Sequence, residues 1–257
     1  MENKEEKYTV AFTMDFETGG FDCQNSACTQ IAVHAVRIDT FETIARFVRY
    51  IKPYHKKIDK GGKQRKILVP KLDIEEAENE YLEYNESAAK VSGITFDMLE
   101  EKGDSIEIVA RDLVQFIKDY RTGVGKRCKS FFIGQNITFD LGFLQHLFEY
   151  GGQIKEYKNL LRGNNDFYGN YMPMYVDTLA LGYLAFGNKP EIQSFNLSNL
   201  IDMFGLELND AHDADADVTA TTNVCMSCTQ RMRSEDGDTS NALVVTKKEK
   251  TRNHFKI

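Results

Sequence analysis

The chain has 257 residues, 42% hydrophobic and 28% charged, with a formal net charge of −7. This is a globular composition, and the acidic balance argues against a protein that coats nucleic acid by bulk charge while leaving room for a local basic grip. No apolar run approaches bilayer length, and Asp177 interrupts the best stretch at Met174–Gly187, so no membrane association is expected. The charged start Met-Glu-Asn-Lys-Glu-Glu-Lys lacks the apolar core of a signal peptide, which sets the expectation of a cytoplasmic protein.

In chain order, Tyr8–Met14 is a short β-rich run, followed by Gln30–Ile38 and Phe41–Ile51 around an Asp39-Thr40 turn. Short connections between the three predict an antiparallel meander. Tyr54–Val69 breaks the pattern with Lys56, Lys57, Lys60, Lys63, Arg65 and Lys66 around Gly61-Gly62, and reads as a mobile basic loop. The acidic stretch from Asp73 to Glu86 reads as a solvated helix. Ser105–Tyr120 has helical spacing at Ile106, Val109, Leu113, Phe116 and Ile117. Ser130–Ile133 reads as a buried strand, Asp140–Tyr150 as a helix, and Tyr175-Val176 as a strand end before a helix at Thr178–Phe186. Two further helices are expected, Leu197–Phe204 and Ala214 to about Arg233. Strands first as a meander, then helices alternating with strands, predict an α/β protein with a mixed sheet flanked by helices. Residues 1–233 are expected to form the domain, and 234–257 a charged C-terminal tail.

Five cysteines, an odd number, do not suggest a disulfide framework. Cys225 and Cys228 form a C-x-x-C, but within a helical pattern rather than a ribbon turn. With Cys23 and Cys28 they are expected to be reduced thiols rather than a zinc site.

Three motifs carry chemistry. In Thr13-Met14-Asp15-Phe16-Glu17-Thr18-Gly19-Gly20, two carboxylates two apart at a strand end share a face, because strand side chains alternate. In Gly134-Gln135-Asn136-Ile137-Thr138-Phe139-Asp140, a buried strand runs through a turn into a helix that starts with an acid, a place where binding crevices form. In Ala211-His212-Asp213-Ala214-Asp215-Ala216-Asp217, three acids and a histidine crowd a helix start. Asp213 can cap that helix; Asp213 and Asp217 share a face, and Asp215 points elsewhere. An all-carboxylate set of Asp15, Glu17, Asp140 and Asp217 favours hard ions such as Mg²⁺ or Mn²⁺. Two such ions suit in-line displacement at phosphorus.

Asp-x-Glu-x-Gly-Gly after a strand, Asn-x-x-Phe-Asp and His-x-Ala-x-x-Asp together resemble the motifs of DEDDh-type 3′–5′ exonucleases, a family that includes polymerase proofreading subunits, RNase T and oligoribonuclease. Val176-Asp177-Thr178-Leu179 and Val91-Ser92-Gly93-Ile94-Thr95 resemble further segments of that family, with Ser92 where many relatives have His. The resemblance implies an RNase H-like fold, two Mg²⁺ or Mn²⁺ ions, and release of nucleoside monophosphates from a 3′ end. It implies that Asp15 bridges the two ions. Glu17 and Asp217 would hold the ion that activates water, and Asp140 the ion near the leaving oxygen. His212 would take the proton of the attacking water, and Phe16, Thr18, Gly19 and Asn136 would lie along the terminal nucleotide. The expected partner is nucleic acid with a free 3′ end. Single-stranded DNA is favoured over RNA, and a separate polymerase would be needed for proofreading. The basic loop and Gln153–Met172 resemble insertions. Two other readings stand beside this one: a silent module of the same fold that binds nucleic acid or a polymerase, and a metal-dependent phosphohydrolase of small nucleotides.

Overall fold

A computed structural model describes residues 8–57, 80–165, 167, 169, 171–206 and 213–232. Its centre is a five-stranded mixed sheet. The meander is β1 (Val10–Thr18), β2 (Cys28–Arg37) and β3 (Thr43–Tyr50), antiparallel throughout. Two short strands, β4 (Phe132–Gly134) and β7 (Tyr175–Asp177), then add in parallel on the other side of β1. The spatial order is β3-β2-β1-β4-β7. This is the expected architecture.

Among the described residues there are eight α-helices: α1 (Glu86–Ser92), α2 (Phe96–Lys102), α3 (Ile106–Tyr120), α4 (Thr138–Tyr150), α5 (Ile154–Leu160), α6 (Thr178–Phe186), α7 (Leu197–Phe204) and α8 (Ala214–Met232). Strands β5 (Gly163–Asn165) and β6 (Tyr171–Pro173) make a separate hairpin, so Gln153–Met172 is an added helix and ribbon. None of the described helices is long and apolar enough to cross a membrane.

The alternation of β1 divides the molecule. Phe12, Met14 and Phe16 enter the main core, which also holds Val109, Leu113 and Ile117 of α3 and Leu144, Leu147 and Phe148 of α4. Ala11 and Thr13 face α8: Ala11 packs with Ile133 and Cys225, and the Thr13 and Thr222 hydroxyls are 3.0 Å apart. Each large side chain taken fully out of water in this way contributes about 1.5–3 kcal/mol. Asp15 and Glu17 continue the Ala11–Thr13 face. β1 runs to Thr18, four residues beyond the expected limit, so these acids lie within the strand rather than past its end. The extension is held by β2, which pairs as far as Thr18↔Cys28.

The acidic segment differs from expectation. Residues 80–85 are extended, not helical: Tyr81 and Glu83 form isolated bridges with His55 and Ser26. The helix starts at Glu86, where the Asn85 side chain accepts the Ser87 N–H at 2.8 Å. The remainder of the expected helix lies outside the described residues, as do Lys60, Lys63, Arg65, Lys66 and the 234–257 tail. Two cations of the basic run are described and both are engaged: Lys56 with Glu80 at 2.7 Å, and Lys57 with the carbonyls of Glu149 and Tyr150. The cysteines fall on different sides of the sheet: Cys28 in the main core with Cys23 packed against it, Cys225 against Ala11 and Ile133, and Cys228 among α6 and α7 side chains.

α4 is anchored on α3 by a close approach. A Cβ at Gly151 would stand 2.2 Å from the Cβ of Ala110 and 2.9 Å from the Leu147 carbonyl. Gly151→Ala should therefore destabilise the fold by roughly 1–3 kcal/mol, the usual range for overpacking. Urea titration checks this, and an unchanged midpoint would show that the α3–α4 contact yields freely.

Candidate active site

Because β1, β4 and β7 are parallel, their carboxyl ends share one edge of the sheet, where open α/β sheets form crevices. β4 pairs with β1 only at Phe12↔Phe132 and Thr13↔Ile133. Beyond that point the near side of β1 has no strand partner. The Phe16 N–H donates there to Oδ1 of Asp140 at 3.1 Å, which fixes the carboxylate of an otherwise buried aspartate, 3% exposed. The chain between β4 and α4 turns at Asn136, whose φ of 54° is a left-handed conformation that asparagine tolerates. Oδ1 of Asp177 holds this turn. It accepts the Asn136 N–H and, as N-cap of α6, the Leu179 N–H, both at 2.9 Å.

The third contribution is α8. Asp213 caps it: Oδ1 accepts the N–H groups of Asp215 at 3.0 Å and Ala216 at 3.3 Å. Asp215 turns away to the sheet, where it meets Nε2 of the buried His34 and Nη1 of Arg46. Asp217, one turn on from Asp213, turns toward β1. Carboxylate oxygens of Asp15, Glu17 and Asp217 all lie within 4.8 Å of one another. The structure thus brings together three of the four acids that the sequence singled out; the fourth, Asp140, stands apart from this trio on the Phe16 N–H. His212 lies outside the described residues; its neighbour Asp213 places that end of the helix beside the acids.

Such a group is electrostatically costly. Two ionised carboxylates about 4 Å apart repel by about 4 kcal/mol at an effective dielectric of 20. Burial raises the Asp15 pKa well above the ordinary value, and Asp140, Asp217, Glu17 and Asp213 raise it further. Glu17 is pushed up to about 8 by burial and then by Asp217 and Asp213. Burial also raises Asp140, against the lowering effect of the Phe16 N–H. For Asp15 and Glu17 every influence favours the neutral form, so a cation among them would release the strain. Their oxygen-only donor set fits a hard divalent ion.

A groove of about 340 Å³ opens over the acids. Asp15, Glu17 and Asp217 meet Phe16, Thr18 and Phe21 there, with Asn85, Ser87 and Val91 of the α1 side opposite. Thr18 is therefore in the groove as expected. Gly19 lines the neighbouring hollow instead, and a Cβ there would be 2.2 Å from the Glu83 carbonyl. Ser92 lines the neighbouring hollow rather than the groove. Phe21 and the α1-side residues Asn85, Ser87 and Ala88 were not singled out from sequence, whereas Phe139 and Val91 lie in motif segments named above. The Asn85-Glu86-Ser87-Ala88 helix start was a readable signal for the α1-side residues, masked by the acidic run before it.

Comparison with known proteins agrees with this geometry. Residues 77–225 match the RNase_T family, described as exonuclease; the match takes in Asp140 and Asp217 and leaves Asp15 and Glu17 before it. The chain is 29% identical over 132 residues to DNA polymerase III PolC-type of Bacillus subtilis, covering 51% of this chain and 7% of the polymerase. It is 30% identical over 135 residues to the 3′–5′ exonuclease DinG of Staphylococcus epidermidis, covering 52% of this chain and 12% of that protein. The chain thus spans only a small part of either relative. A solved structure of E. coli Exonuclease I in complex with a dT13 oligonucleotide superposes with a TM-score of 0.60 at 20% identity, over 88% of this chain and 41% of that one. That likeness shows the fold, the RNase H-like fold of exonucleases.

The raised acids set a pH dependence. Glu17 has an ordinary pKa of 4.5 and one of about 8 here, so between those values the folded chain retains a proton that the unfolded chain has released. Stability from this group is complete below the lower value and is lost as pH rises through the upper one. In EDTA, the Tm of the protein relative to Glu17→Gln should therefore fall between about pH 5 and 8. Mg²⁺ or Mn²⁺ should restore it at the alkaline end, because an ion bound only by the folded state stabilises it. A Tm difference flat with pH would refute the clustering.

Proposed function

The chain belongs to the RNase_T exonuclease family, and we propose that it is a metal-dependent 3′–5′ exonuclease that removes nucleoside monophosphates from the 3′ end of single-stranded DNA. The observation that carries this is the convergence of Asp15, Glu17 and Asp217 within 4.8 Å at the floor of a groove. Buried Asp140 stands at the edge of the same strand. Glu17 and Asp217 would hold one divalent ion, Asp140 a second, and Asp15 would reach both, with Mg²⁺ or Mn²⁺ suited to the donors. When bound, such ions supply charge neutralisation at the phosphate and a more acidic water.

The chain's own residues do the rest. His212, next to the cap of α8, accepts the proton of the attacking water. A histidine titrates near neutral pH and is the side chain most often used as a general base. Phe16 and Thr18, which line the groove, would lie along the terminal nucleotide, with Gly19 next in the chain and Asn136 at the β4–α4 turn as further contacts. Phe21, 94% exposed, and Val91, 57% exposed, both line the groove and offer apolar surface to unstacked bases. This favours a single-stranded end over a paired one. The oligonucleotide in the Exonuclease I structure supports DNA as the substrate. The likeness to a stretch of DNA polymerase III PolC-type supports a role beside a polymerase, in proofreading or repair.

A digestion panel tests this: end-labelled single-stranded DNA, duplex DNA, RNA and dinucleotides, each with Mg²⁺, Mn²⁺ or EDTA. Stepwise shortening of single-stranded DNA from the 3′ end, abolished by EDTA, is the expected result. Cleavage of mononucleotides alone would replace the reading with a small-nucleotide phosphohydrolase. Asp15→Ala should remove activity and leave the chain folded. His212→Ala should lower turnover by about 10²–10⁴-fold while sparing metal binding by calorimetry. Lost metal affinity in that variant would make His212 a ligand instead of the base.

A further inference from the structure

We propose that Gln30 is a positioning residue of this site: its carboxamide sets where the first turn of α8, with Asp213 and Asp217, stands relative to the acids of β1. The kinetic part of this inference rests on the exonuclease reading; the metal-binding part does not.

Gln30 is 1% exposed. In the β1–β2 ladder it is the direct partner of Glu17. Cross-strand partners project from the same face of a sheet, so the Gln30 side chain leaves beside that of Glu17, toward α8. Both ends of the carboxamide are used there. Oε1 accepts the Ala214 N–H at 3.1 Å, and Nε2 donates to Oδ2 of Asp213 at 3.2 Å. The Ala214 N–H is one of the first four in the helix, which have no acceptor within it. The other oxygen of Asp213 is already occupied by the N–H groups of Asp215 and Ala216, and its carbonyl accepts the Asp217 N–H at 3.0 Å. A single side chain on the strand therefore grips the residue that caps the helix, one turn before Asp217 and directly after His212.

The residue type matters. A helix N–H needs an acceptor and a carboxylate needs a donor, and a carboxamide of this length meets both without charge. Leucine or methionine would leave the Ala214 N–H and Oδ2 of Asp213 buried without these partners. Glutamate would set another negative group among Glu17, Asp213 and Asp217. His34 and Arg46 grip the same turn through Asp215, but from strand positions opposite Thr13 and His34 respectively, further from the acids. Gln30 joins the helix to the strand position of Glu17 itself.

The test uses the full chain with Gln30→Leu and Gln30→Met, the second closer in length, each checked for folding by circular dichroism. Turnover on a dT oligonucleotide should fall by about tenfold or more, because a misplaced reacting group costs rate steeply. KM should change by less than roughly threefold, since Gln30 does not line the groove. Mn²⁺ affinity by calorimetry should weaken severalfold. Asp213→Ala should also lower turnover, and the double variant should be no worse than the poorer single, because the two residues act as one link. A folded Gln30→Met with turnover and Mn²⁺ affinity within about twofold of the parent would overturn the inference, as would additive losses in the double variant. A parent chain that binds Mn²⁺ but cuts no nucleic acid would instead remove the exonuclease reading, and the calorimetry alone would then decide the role of Gln30.

Discussion

Repulsion among carboxylates is the constraint around which this molecule is arranged. Asp15, Glu17, Asp140 and Asp217 would separate if the chain were free to let them. β1 prevents this by using its two faces differently. Phe12, Met14 and Phe16 are sunk in the main core and hold the strand in place, while the intervening positions present the acids on the other face. The strand that bears the strain is thus also the one most firmly fixed. Charge opposition at the surface is supported by apolar burial underneath, at a spacing of a single residue.

The early end of β4 serves the same purpose. Had β4 continued beside β1, the Phe16 N–H would have entered the sheet ladder and Asp140 would have lost its partner. Instead the ladder stops, and the gap admits the start of α4, while the start of α8 is held over β2 by Gln30. Asp177 and Asp213 secure these arrivals by the same means, a carboxylate that accepts helix or turn N–H groups. Acids in this fold therefore have two distinct roles. Some are fixed by N–H donors and act as structure; others are crowded against one another and suit cation binding.

Much of this was legible in the sequence because its signals are local. Period-two alternation placed Asp15 and Glu17 on one face, and the i, i+4 spacing separated Asp213 and Asp217 from Asp215. The meander followed from short turns between β-rich runs, and α3 from its apolar spacing. The features that escaped are those decided at a distance. The length of β1 depends on β2 pairing as far as Cys28. Residues 80–85 carry helix-favouring acids, yet they are extended because Glu83 bridges to Ser26 and Tyr81 to His55. Gln30 looked like an ordinary strand residue, since nothing near it in the chain reveals that Asp213 and Ala214 lie above it. Phe21 gave no signal either, because a groove wall is defined by what lies around it.

The acids of the central trio come from opposite ends of the described chain. Asp15 and Glu17 belong to the first strand, and Asp217 to the last helix. During synthesis the strand emerges early, yet it has no third ligand until α8 has been made and has docked. A chain still attached to the ribosome therefore carries an incomplete centre. The same separation makes the contact between β1 and α8 long-range, which places completion of the site late in folding.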